Sequence, residues 1–155
     1  LTVAGKPLRY HVLWGLELFA LIGLPTKFIV AWMQSADLGE GPAHWAMLES
    51  GSGPGFWVFM AVSSYALPPL FEELYLRGYA QTRLTGVMGP AGAIGLLSVL
   101  FAAAHTQYYA LEATSLTMLA LIFVAAVANG VARHVTGSLL APILAHVLVN
   151  LPIGV

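Results

Sequence analysis

The stretch Phe71-Glu72-Glu73-Leu74-Tyr75-Leu76-Arg77 sets two adjacent carboxylates and a guanidinium inside a run that is otherwise apolar. At helical spacing Glu73 and Arg77 lie four residues apart on one face, where they can pair. Glu72 points about 100° away and is free for another task. Ionisable groups within apolar helices are rare, turn toward the interior of a bundle, and mark a functional site by default. Read alone, the pattern also admits a solvated amphipathic helix whose Glu–Arg pair lies at a membrane interface.

The surrounding composition favours the buried reading. Of 155 residues, 59% are hydrophobic and only 8% charged, with a mean hydropathy of +0.82. A water-soluble domain carries about 25% charged residues, so the expected fold is all-α, a polytopic transmembrane helix bundle. The length sets a ceiling of about five to six spans in a single integral-membrane domain over 1–155. A formal net charge of -1 and the lack of a basic run argue against nucleic acid as a partner. The chain has no cysteine, which excludes disulfides, thiolate metal sites, a cysteine nucleophile and a lipidated cysteine anchor. It begins at Leu1 with a long apolar run and no small-residue cleavage pattern, so a processed or trimmed chain without a signal peptide is expected.

Five apolar stretches are expected to be helical: 10–32, broken by Pro25 and carrying Glu17 and Lys27; 56–84, across Pro68-Pro69; 90–109; 115–132; and 138–152. A polar, Gly-rich loop over 34–55 holds Asp37, Glu40 and Glu49. Lys6, Arg9, Arg83 and Arg133 mark one side of the bundle, and the acidic loop with Glu112 marks the other. By the positive-inside rule the N-terminus and the turns near 86–89 and 133–138 are cytoplasmic. Tyr10, Trp32, Trp45, Trp57, Tyr108 and Tyr109 suit interfacial anchors. Small residues in the third and fourth stretches, such as Gly95, Ala126 and Gly130, suit close helix packing in lipid.

Depth then gathers the remaining polar residues. At about 1.5 Å per residue, Glu72 and His105 each lie roughly 20 Å from the turn between their two helices. His146 and Asn150 lie about 12 to 18 Å from the next turn on the same side. His105 follows Phe101 by four residues, so the two rings share a face. His146 and Asn150 are again four apart, an edge with two donors that can hold a developing oxyanion or serve only as a contact between helices. Several polar residues carry a plainer expectation. His11, His44 and His134 read as solvated, Lys27 as snorkelling outward, and Asn129 as a donor between helices. Glu17 is left without a role.

Taken in order, Glu72-Glu73-x-x-x-Arg77, Phe101-x-x-x-His105 and His146-x-x-x-Asn150 resemble the three signatures of the CPBP family. That family comprises type II CAAX prenyl endopeptidases and bacteriocin-processing or immunity relatives. The run from Arg133 to His146 also resembles the family's link into its last motif. The resemblance covers a core of about 56–155, leaving an N-terminal span and loop over about 1–55. It implies an intramembrane glutamate peptidase in which Glu72 and His105 activate water. His146 and Asn150 hold the oxyanion, while Glu73, Arg77 and Phe101 support the site. It also implies no cofactor and no metal. His-Glu-x-x-His is missing, although a carboxylate with two imidazoles could in principle bind zinc. The implied partners are a peptide or membrane-protein substrate and the lipid bilayer, with the protein in a prokaryotic inner membrane. A non-catalytic immunity or scaffold protein of the same fold is the alternative. A proton-coupled transporter is disfavoured by the lack of an internal repeat.

Overall fold

The computed structural model describes residues 2–36, 53–108 and 113–151. The expectations for Asp37, Glu40, His44, Trp45, Glu49, Tyr109 and Glu112 lie outside the described residues. The chain opens with a two-stranded antiparallel hairpin, β1 (Thr2–Val3) on β2 (Lys6–Pro7), with Val3 opposite Lys6. The other elements among the described residues are helical.

Helix α1 (Leu8–Leu18) passes through a π-helical stretch, Phe19–Gly23, into α2 (Leu24–Ser35). Pro25 was expected to break this segment, yet the helix runs through it. The reason is local: the wider π turns end just before the proline, where one backbone donor is missing. Thr26 Oγ1 also donates to the Ile22 carbonyl at 2.8 Å. The same device precedes Pro68-Pro69. There α3 (Pro54–Met60) widens over Ala61–Ala66 before α4 (Leu67–Glu73), which widens again over Leu74–Ala80 before α5 (Gln81–Ala103).

A reversal inside α5 decides the architecture. Gly89 has φ 76° and ψ 168°, a backbone state that only glycine adopts at little cost, and Pro90 follows it. A straight helix would hold Arg77 and Phe101 roughly 36 Å apart, but the Arg77 guanidinium lies 5.2 Å from the centre of the Phe101 ring. The chain therefore folds back at Gly89, at the turn expected from the sequence. A short 3-10 turn, Thr106–Tyr108, leads on toward α6 (Ala113–Thr136). Ser138 Oγ accepts from the Leu140 amide at 3.1 Å and starts α7 (Leu140–Asn150).

Helix α5 packs chiefly on α6, while α7 lies against α1, α6 and α4. The interior is built from small residues, with Ala93, Ala126, Ala132, Ala141 and Ala145 buried. Large apolar side chains such as Leu21, Phe28 and Val87 face outward. In lipid this distribution is stable, because hydrocarbon solvates the outer face and close backbone approach supplies the packing. Leu8–Met33, Pro54–Ala103 and Ala113–Thr136 are long and apolar enough to cross a membrane, whereas α7 has only 11 residues. A span needs about 20 residues. Of the five expected stretches, the third is the returning limb of Pro54–Ala103, and the fifth is too short to cross unaided.

Two single-residue expectations change. His11 is fully buried rather than solvated: it packs beneath the hairpin, and its Nε2 lies 2.7 Å from the Val3 carbonyl, to which it donates. Lys27 turns inward instead of snorkelling, and its Nζ donates to the Leu151 carbonyl just beyond α7. An ammonium there meets the unpaired carbonyls of a helix C-terminus. Glu17 is exposed on α1.

Candidate active site

One stripe of the second apolar helix carries Glu73, Arg77 and Gln81 at successive four-residue steps, and all three are buried. Each is tied to α6. Arg77 donates through Nη1 to Glu73 Oε1 at 3.2 Å and through Nη2 to the Ala126 carbonyl at 3.0 Å. Asn129 Nδ2 donates to Glu73 Oε1 at 3.2 Å, and Gln81 Nε2 donates to the Gly130 carbonyl at 2.9 Å. Small residues on α6 expose those carbonyls. A Cβ at Gly130 would stand 2.9 Å from Ile94 Cγ2, so any larger residue would push α5 away.

From α7, His146 reaches the same carboxylate. Its Nδ1 lies 2.9 Å from Glu73 Oε1, and its Nε2 lies 3.7 Å from Glu72 Oε2. A carboxylate oxygen can only accept, so Nδ1 carries the proton. The imidazole thus spans both glutamates. Glu73 Oε1 takes hydrogen bonds from Arg77, Asn129 and His146, whereas Glu73 Oε2 is buried with no partner among the described residues. Glu72 differs, since its side chain is 38% exposed and His146 Nε2, at 3.7 Å, stands beyond hydrogen-bond distance.

Phe101 spaces the cluster. Its ring meets His105 edge-on with centroids 4.8 Å apart and His146 with centroids 6.0 Å apart, beneath the Arg77 guanidinium. His105 stands just past the end of α5 and donates through Nδ1 to the Phe101 carbonyl at 2.8 Å. That bond fixes the tautomer and leaves Nε2 as the acceptor of the neutral ring. Asn150 is half-buried at the end of α7, one turn beyond His146, and its side chain makes no hydrogen bond among the described residues.

The geometry therefore gathers Glu72, Glu73, Arg77, Phe101, His105 and His146, with Asn150 at the margin. It adds Asn129, which the sequence suggested only as a donor between helices, and Gln81. Both left a trace: Gln81 continues the Glu73–Arg77 spacing, and Asn129 is the one polar residue between Thr117 and Arg133. Among the described residues, no group of three His, Asp or Glu is disposed to hold a metal ion.

Comparison with known proteins gives the family of the chain. The family described as type II CAAX prenyl endopeptidase Rce1-like matches residues 54–152, which include every residue of the cluster. The chain belongs to that family, a CAAX protease relationship within the CPBP group. No curated protein and no solved structure matches it. The family and the apolar helices together make this an integral membrane protein.

Proposed function

We propose that the chain is an intramembrane endopeptidase of the glutamate type, hydrolysing a peptide bond near the membrane with Glu72 as general base. The observation that carries this reading is the contrast between the adjacent carboxylates. Glu73 Oε1 is occupied by three donors, while Glu72 remains partly exposed and loosely held beside His146. A base must reach its water and keep a free lone pair. Only Glu72 offers both. His105, held by the Phe101 carbonyl, presents Nε2 as the second acceptor.

In the proposed reaction, Glu72 takes one proton of a water that also donates to His105 Nε2, and the water oxygen attacks the substrate carbonyl carbon. Asn150, and His146 through Nε2 with both ring nitrogens protonated, donate to the resulting oxyanion, a contribution worth about 3 to 4 kcal/mol per preorganised donor. Collapse breaks the C–N bond, and the proton held by Glu72 passes to the leaving amine. Glu73 orients His146, Arg77 neutralises Glu73, and Phe101 sets the separation of the two imidazoles. The scheme requires no metal or cofactor. The substrate is a peptide or membrane protein; no nucleic acid takes part. The end bearing Lys6, Arg9, Arg83 and Arg133 is assigned to the cytoplasm, N-terminus included, in a prokaryotic inner membrane.

The test compares wild type with Glu72→Gln in the native host by mass spectrometry of membrane-protein termini. Termini that vanish in the variant, at equal abundance of the protein, support hydrolysis and reveal the substrate. Identical termini would favour a non-catalytic immunity or scaffold role.

A further inference from the structure

One end of the bundle gathers Lys6, Arg9, Arg83 and Arg133, four of the six Lys and Arg residues of the chain. The hairpin closes on this end: Lys6 Nζ reaches the Val135 carbonyl at 3.5 Å, and a Cβ on Gly137 would touch Ala4. Between the second apolar helix and α6 opens a cavity of about 180 Å³ lined by Arg77, Gln81, Thr82, Thr85, Arg133 and His134. Among the described residues, no carboxylate and no aliphatic side chain lines it. Arg133, half-buried, forms part of its wall, and its Nε has no hydrogen-bond partner among the described residues. A buried donor left unpaired is costly, and a guanidinium is most strongly satisfied by a planar or tetrahedral oxyanion.

We propose that this cavity binds the phosphate headgroup of an anionic phospholipid. The phosphate oxygens would accept from Arg133, with His134 and the Thr85 hydroxyl beside it. Arg–phosphate contacts are strong and geometrically specific, and basic pockets between membrane helices are a known form of headgroup site. Lipid is favoured over a free anion because the same helix ends expose Val87, Met88, Val131 and Val135, an apolar surface for acyl chains. Arg77 lines the cavity and also holds Glu73 at 3.2 Å. An occupied cavity therefore touches the residue that neutralises the buried carboxylate, and whatever binds there biases the carboxylate cluster.

The experiment measures thermal unfolding of the full chain in detergent, titrated with phosphatidylglycerol, with phosphatidylcholine or with inorganic phosphate. Phosphatidylglycerol is expected to raise the wild-type midpoint at concentrations where the other two do not. Arg133→Gln should raise the concentration for half the shift by about tenfold or more, the loss expected for one charge-assisted contact. Arg9→Gln, an exposed cation outside the cavity, should retain the wild-type response. Should Arg133→Gln fail to fold, Thr85→Glu places a repelling carboxylate in the cavity and should abolish the shift. An equal loss in Arg9→Gln would mean diffuse surface attraction and overturn the site. An unchanged response in both Arg133→Gln and Thr85→Glu would do the same. A full shift with inorganic phosphate alone would overturn the assignment to lipid.

Discussion

Asn129 donates to Glu73 Oε1 from 3.2 Å across the interface of two helices, joining residues 56 positions apart in the chain. The bond makes α6, which carries none of the three signature motifs, a part of the carboxylate site. Removing it with Asn129→Ala should lower stability by about 1 kcal/mol, near the upper range for one polar contact between membrane helices. Asn129→Asp sets a second carboxylate against Glu73 and should cost more. Thermal unfolding in detergent gives both values. An aspartate variant as stable as wild type would show that Asn129 does not face Glu73.

The two glutamates should separate cleanly on stability. Glu73→Gln leaves the buried Arg77 cation without its counter-charge, and breaking a buried pair costs about 3 to 5 kcal/mol. Glu72→Gln touches no hydrogen bond of the fold and should stay within about 0.5 kcal/mol of wild type, while peptide hydrolysis is lost. If both variants unfold alike, the division of roles between them is wrong.

A matched pair of substitutions isolates the reversal at Gly89. A Cβ at Gly89 or at Gly86 would meet nothing within 4 Å, so sterics with neighbours cancel. Gly89 alone has a positive φ. Gly89→Ala should destabilise by about 1 to 3 kcal/mol, whereas Gly86→Ala, within a helix, should stabilise by about 0.5 to 1 kcal/mol. Equal midpoints for the two variants would place the bend elsewhere.

Gly15 sets the approach of α1 to α7. A Cβ there would stand 3.0 Å from both the Ala141 carbonyl and Leu144 Cβ. Gly15→Val should part the helices at a cost of about 1 to 3 kcal/mol. It should also lower hydrolysis, because α7 carries His146. Activity measured below the unfolding midpoint distinguishes the two effects, and full activity there would uncouple α1 from the site.

Much of this arrangement is legible in the residues. Glu73 and Arg77 pair because four residues make one helical turn, and the fold-back at Gly89 follows from a Gly-Pro step between two apolar runs. What escaped the sequence were interactions that depend on how helices meet. His11 looks solvated until the hairpin is seen to cover it. Lys27 looks free to snorkel until the end of α7 arrives beside it with its carbonyls exposed. Pro25 looks like a break because the π turns that accommodate it leave no mark in composition. How many of the apolar runs cross the bilayer is not legible either, since an apolar run does not reveal whether protein or lipid surrounds it.

The packing of α1 on α7 also orders events in time. Synthesis delivers Glu72, Glu73, Phe101 and His105 to the membrane before α7 exists, and α7 is too short to settle in a bilayer by itself. It finds its place only against helices already there. Until then the buried carboxylate of Glu73 lacks the imidazole of His146. On the proposed function, the hydrolytic site is thereby incomplete until α7 has docked.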